Sequence, residues 1–223
     1  MDRVRRRDAA GTREALLAAA TVLFAEQGYD GVPVSVIAER AGVNKAMINY
    51  HFGGKRQLYL AIVTATFGEI VASVERLAGS ARPAPELLRE LIAVVGDAVT
   101  RRHPHFCTMM LREVLAGGPH IEPVLIAQPV RMLEAVQSIV ARGVREGDFR
   151  PVDPVLTHLS LVGSLVFFFA TQRFRERVLA QRQPAAKPPV PAAFVKHMQE
   201  LLAHGLAARD LRTARRPARR SRR

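Results

Sequence analysis

The residues with the most chemistry to offer lie between Val34 and Lys55. Lys45, Ala46, Met47, Asn49, Tyr50 and His51 fall on the outer face of one short helical stretch, and that face has no acidic group. Lysine, histidine and the tyrosine hydroxyl suit phosphate oxygens, and asparagine suits a base edge or a phosphate. Alanine and methionine can touch a thymine methyl. Behind this face, Val43 and Ile48 seal the stretch inward and Phe52 anchors its end. Just upstream, Ile37, Ala38 and Ala41 mark the buried side of a preceding helix, and Gly42 sits where a tight turn must be made. Two short helices joined this way form a helix-turn-helix, a device that lays its second helix against the duplex.

The rest of the chain shows no comparable constellation. There is no Gly-x-Ser-x-Gly, no phosphate-binding Gly-rich loop, no His-Glu-x-x-His and no carboxylate pair beside a histidine, so no catalytic residue and no cofactor is assigned. His103, His105 and Cys107 offer metal-type side chains. Pro104 starts a helix, which leaves His103 outside it and turns His105 about 200° from Cys107, so no metal site is assigned. With one cysteine there is no resolving partner for redox sensing. Arg112-Glu113 reads as a solvated or locally paired charge set.

The elements that must position the candidate face are helical throughout, since no run alternates with period two. The first helix starts near Thr12, a good N-cap, and ends at Gly28. Short helices follow over about 34–41, with Pro33 in the first turn, and from Asn44, another N-cap, to about 51. A long helix runs from Lys55 to about 77. Further helices are expected over 85–102, 104–116 and 123–146, the last kinked or late-starting at Pro129. Asp153-Pro154 opens an apolar helix over 154–180, and a final helix covers 192–208. Residues 183–191 hold four prolines and read as an extended connector.

Composition supports one helical chain of 223 residues: 48% of it is apolar, only 6% is aromatic, and there is no tryptophan. The net charge of +13 sits mostly at the ends, with +3 in residues 1–7 and +7 in residues 209–223. The expected organisation is therefore a basic arm (1–11), a helix-turn-helix domain (12–54), a helical body (55–208) and a disordered Arg-rich tail (209–223). The stretch 154–172 lacks Asp, Glu, Lys and Arg, but its Thr, Ser, His and Gly content favours a buried helix over a membrane span. The lone cysteine and the absence of an apolar leader point to the cytoplasm.

The string Ile37-Ala38, Ala41-Gly42-Val43, Tyr50-His51-Phe52 and Lys55 resembles the DNA-binding signature of the TetR family of bacterial repressors. So does the helix end Phe24-Ala25-Glu26-Gln27-Gly28-Tyr29. The likeness covers about residues 12–60, and the spelling Ile-Asn-Tyr-His-Phe-Gly-Gly-Lys looks like the CecR branch. The resemblance implies an all-α fold with a three-helix DNA-binding domain and a ligand-binding, dimerising body of about six helices. It places Tyr50, His51 and Lys55 on phosphates and Lys45, Ala46 and Met47 opposite bases. Ser35, Asn44 and Asn49 are neighbouring contacts. Asn49 stands where many relatives carry tyrosine, and Val32-Pro33 where many carry a Thr or Ser cap.

The resemblance also implies a palindromic double-stranded operator, a homodimer and a small-molecule effector. The last two helices, 154–180 and 192–208, are the expected dimer surface. Phe67, Phe106, Met109, Met110, Met132 and Phe168 are the candidate effector contacts, suited to an apolar or aromatic molecule. Phe167, Phe168 and Phe169 fan over about 200°, so one of them must meet a partner. Two rival readings remain. One is a ligand-binding helical protein or enzyme that has lost DNA recognition, and the other a nucleic-acid or membrane-surface binder driven by its Arg tails.

Overall fold

The computed structural model describes residues 2–121, 123–182 and 188–208, the side chains of 2–9, 123–125 and 182 excepted. The expected disordered tail and most of the Pro-rich connector fall outside the described residues.

Three helices build the N-terminal domain: α1 (Asp2–Gln27), α2 (Val34–Ala41) and α3 (Ala46–Phe52). Helix α1 runs back to Asp2, so Thr12 lies inside it and does not cap it. Leu16, Ala20, Leu23 and Phe24 form its buried stripe against Ile37, Ala38 and Ile48, and Leu16, Ile37 and Ile48 are fully buried. Gly42 makes the turn in the left-handed region, at φ 68°. There the Val43 amide donates to the Ala38 carbonyl at 3.0 Å and the Gly42 amide to that of Glu39 at 3.0 Å, the paired bonds that close a helix C-terminus.

Helix α4 (Lys55–Ala78) leaves the Gly53-Gly54 turn and passes into the body, where Leu58, Ile62, Ile70 and Val74 sit in the core. It packs on α5 (Ala84–Asp97) and most extensively on α7 (Pro123–Glu146). The chain leaves α5 through one wider π turn, Ala98–Arg102, in which the His103 amide reaches the Ala98 carbonyl at 2.7 Å. Helix α6 (Phe106–Leu115) therefore starts two residues after Pro104. Helix α7 keeps Pro129 inside it.

The expected single helix over 154–180 is two: α8 (Pro154–Ala170) and α9 (Gln172–Arg182), bent by 66° where they meet. At the break, the amide and hydroxyl of Thr171 both turn back to the Phe167 carbonyl, at 3.1 and 2.7 Å. Such back-bonding bends helices, and here it falls where apolar sequence gives way to charged. Asp153 caps α8 as expected, its Oδ1 accepting from the Val155 and Leu156 amides at 2.8 and 3.0 Å. Helix α10 (Pro191–Leu206) closes the described chain. Among the described residues, α4 also has the length and apolar composition of a membrane span, and its apolar side forms the core seam with α5 and α7.

The turn between α7 and α8 is an organised clamp. Phe149 is buried and pairs with Ala207 in an isolated bridge. The Arg150 amide donates to the Leu206 carbonyl at 2.8 Å, and its Nε to that of Gly205 at 2.8 Å. Gly143 makes room for this ring, since a Cβ there would lie 2.2 Å from Phe149 Cδ2. Gly143→Ala should therefore destabilise the protein by about 1–3 kcal/mol, read as a lower urea midpoint. An unchanged midpoint would mean that Phe149 has another seat.

Candidate nucleic-acid interface

Helix α3 is held from behind by Ile48 and Phe52, which leaves Ala46, Asn49 and Tyr50 facing out. Tyr50 is 76% exposed, and Asn44, Lys45, Ala46 and Asn49 are exposed beside it. Asn44 acts as the cap, its Oδ1 accepting from the Ala46 amide at 2.9 Å. Met47 is half-buried and packs on the core, and His51 is half-buried with its ring 5.0 Å from that of Tyr50. Ser35 is exposed in the first turn of α2. Pro33 precedes α2, and its carbonyl accepts the first helical amides.

Lys55 opens α4, where the helix dipole and unused amides add to its charge. Its Nζ lies over the Tyr29 ring, 4.3 Å from the centroid, a cation–π placement. Burial pulls its ammonium below the usual lysine value, and Asp30 pulls the other way. Arg13 lies over Phe52 at 5.1 Å, so a second cation from α1 flanks α3. Helix α3 itself carries no acid, and Lys45 precedes it while Lys55 follows it at the start of α4.

The six candidate effector contacts do not form one site. Phe106 and Met109 border a cavity of about 310 Å³ between α1, α4 and the loop before α6. Phe168 borders another of about 430 Å³ at the α8–α9 bend, where it stacks on Phe194 at 3.7 Å beneath the Arg175 guanidinium. Met110 and Met132 are core residues, and Phe67 is half-buried on Phe106.

Sequence reasoning missed a cluster at the seam between the two domains. Glu113 is buried, not solvated. It accepts from Tyr59 Oη at 3.1 Å and from the His120 amide at 2.6 Å, and its Oε2 lies 3.2 Å from His120 Nδ1. Burial and the neighbouring carboxylate push the Tyr59 phenol far above its usual value. The rings of Tyr59 and His120 both touch Tyr29, at 5.2 and 4.1 Å between centroids. One signal was available: Glu113 follows Phe106, Met109 and Met110 on the same helical stripe.

A helical chain presenting a capped helix-turn-helix with a cationic, acid-free outer edge is a DNA-binding regulator by architecture. Comparisons with known proteins agree. The family described as "Bacterial regulatory proteins, tetR family" matches residues 16–62, and "Tetracyclin repressor-like, C-terminal domain" matches residues 85–189. The chain is 32% identical over 176 residues to the "HTH-type transcriptional repressor NicS" of Pseudomonas putida, covering 76% of this chain and 81% of that protein. It is 27% identical over 150 residues to the "HTH-type transcriptional regulator RutR" of Escherichia coli K12, covering 67% of this chain and 70% of that one. Among solved structures, the TetR family regulator PfmR of Thermus thermophilus superposes with a TM-score of 0.68 at 26% identity, over 85% of this chain and 97% of that chain. The chain belongs to the TetR family: it is a transcriptional regulator with an N-terminal DNA-binding domain and a ligand-binding C-terminal domain, and not an enzyme.

His103 Nε2 contacts Glu69 at 3.0 Å, while Cys107 is buried in the body, so the two do not converge. Burial pushes the Cys107 thiol up to about 12, and the thiolate is the reactive form. Native protein at pH 8 should resist a thiol reagent such as dithionitrobenzoate and react stoichiometrically once unfolded. Rapid labelling of the folded chain would place Cys107 nearer the surface.

Proposed function

We propose that the protein is a cytoplasmic, homodimeric repressor that a small-molecule effector releases from a palindromic operator. The observation that carries the DNA half of this reading is the exposed, acid-free face of α3, with Asn49 and Tyr50 outward, flanked by Lys45 before it and by Lys55 at the start of α4. Lys55, Tyr50 and His51 hold phosphates, with Ser35 at the edge. Lys45, Ala46 and Asn49 face bases, and Met47 joins them from its half-buried position. The name of the Pseudomonas relative, a repressor, supports the sign of regulation.

The dimer half rests on α8. Its inner stripe, Thr157, Leu161, Leu165, Phe168 and Phe169, is buried in the body. On the other side Leu156, Leu159 and Phe167 are 63%, 59% and 65% exposed, and Leu201 on α10 is 54% exposed. An apolar helix left uncovered on one side calls for a partner. A second copy using the same surface gives the two-fold arrangement that a palindrome requires. Because of the break at Thr171, the proposed interface is α8 with α10, and α9 diverges from it.

Selection from a random duplex library at about 150 mM salt, where non-specific binding is weak, tests the reading. An inverted repeat is the expected product, and recovery of no consensus would count against sequence-specific recognition. On that operator, Lys55→Ala should lower the salt-dependence slope by about 0.9 per anchor, with two anchors per dimer. Tyr50→Phe removes a neutral donor, so it should weaken binding with the slope unchanged. Lys45→Ala should shift the recovered consensus at one position per half-site. Unchanged affinity and consensus in all three variants would remove this face as the contact surface.

A further inference from the structure

The seam cavity is the part of the molecule that this reading leaves unused. It measures about 440 Å³ and lies between the end of α1 and the end of α6, within the range of small-molecule sites. Tyr29, Tyr59, Phe24 and Met109 supply its apolar and aromatic wall, and Glu113 and His120 its polar end.

Glu113 is a carboxylate with a side chain only 4% exposed. All three of its partners, a phenol, a backbone amide and an imidazole, lack a permanent positive charge. Arg112 also lines the cavity, and its guanidinium is engaged by the Glu26 carbonyl, to which it donates at 3.1 Å. Asp30, exposed at the mouth, adds a second acid, with Oδ1 3.8 Å from His120 Nε2. Buried carboxylates are costly without a counter-ion, and tyrosine faces attract cations. Tyr29 already demonstrates this, since Lys55 sits over its ring. Two acids, Glu113 and Asp30, and the faces of Tyr29 and Tyr59 thus converge on a space that a small cation with an apolar body fits.

We propose that the seam cavity binds a small organic cation, a protonated amine or amidine on an aromatic or apolar body, with Glu113 as its counter-ion. The regulatory consequence rests on the repressor reading above; the binding does not. A ligand that engages Glu113 competes with Tyr59 and His120, the two groups whose rings brace Tyr29. Tyr29 in turn supports Lys55. Occupancy therefore loosens the seat of a phosphate anchor and lowers operator affinity.

The test uses the full chain with benzamidine and benzylamine as probes and benzoate as the charge-reversed control, each up to about 5 mM, enough to detect weak sites. Thermal shift reads binding and fluorescence anisotropy reads operator affinity. The two cations should raise Tm and weaken operator binding, and benzoate should do neither. Glu113→Gln should lose the cation response at least tenfold. Tyr59→Phe removes a competitor for the carboxylate and should bind benzamidine more tightly, which keeps the test sharp if the Glu113 variant folds poorly. Silence of both cations, an equal response to benzoate, or a Tyr59→Phe variant with unchanged or weaker binding would overturn the proposal. If no operator is recovered but benzamidine still binds through Glu113, the repressor reading fails and the cation site stands. If the operator binds and the cations do not, only the site fails.

Discussion

One helix has to satisfy both halves of the molecule. Helix α4 begins with Lys55 beside α3 in the N-terminal domain and ends at Ala78, buried in the body, a length of roughly 36 Å. Its first turns pack on α1 and α3, and its remaining turns pack on α5 and α7. Close-packed interiors transmit displacement with little slack. Any change in how the body holds α4 is therefore a change in where Lys55 sits. The glycine pair before it leaves the start of α4 no covalent rigidity of its own: Gly53 and Gly54 take φ 79° and 136°. The seating of that turn comes from side chains, with Tyr29 under Lys55 and Phe52 under Arg13.

Local chemistry made the DNA-binding domain legible in the sequence. Gly42 and Gly53 are where left-handed caps are needed, the Asn44 side chain accepts the Ala46 amide, and Ile37, Ala38 and Ala41 share one side of α2 at helical spacing. These signals act within a few residues, and most of the expected helix bounds lie within two or three residues of the observed ones. Two features were hidden for different reasons. The break at Thr171 carries neither glycine nor proline. A threonine hydroxyl bonded one turn back, plus a change from apolar to charged composition, is a weak sequence signal. The seam cluster draws on Tyr29, Tyr59, Glu113 and His120, which are far apart in the chain. Periodicity shows which side of a helix is buried, not which distant side chain it meets. Arg112-Glu113 read as a solvated or locally paired charge set; Glu113 is paired, with His120 and Tyr59, but buried, and its place on the stripe of Phe106, Met109 and Met110 was the indication of that burial.

The effector candidates make the same distinction from the other side. Phe67, Phe106, Met109, Met110, Met132 and Phe168 are all apolar, and composition treats them alike. Packing divides them between the core and three cavities, with Met109 bordering two of these. An apolar residue on a helix is first a core residue, and only the arrangement of polar groups around a space makes it part of a site. Among the cavities described, the one at the seam has that arrangement: a buried carboxylate, a histidine and two phenols converging on an aromatic wall.

Magnitudes decide whether such a seam can transmit a signal. A cation–π contact such as Lys55 on Tyr29 contributes about 0.5–1 kcal/mol when partly exposed. Hydrogen bonds to a charged group, as from Tyr59 to Glu113, contribute about 1.5–3 kcal/mol. Coupling between an effector and its target site is typically about 1–3 kcal/mol. A seam held by many such bonds would be too stiff for a small molecule to open, and one held by packing alone would give a ligand nothing specific to compete for. The Tyr29–Tyr59–His120–Glu113 cluster falls between these limits: breaking one charged hydrogen bond and relaxing one ring contact already supplies the required energy. Under the proposed reading linkage demands reciprocity: an operator that favours a seated Lys55 weakens whatever opens the seam by the same factor.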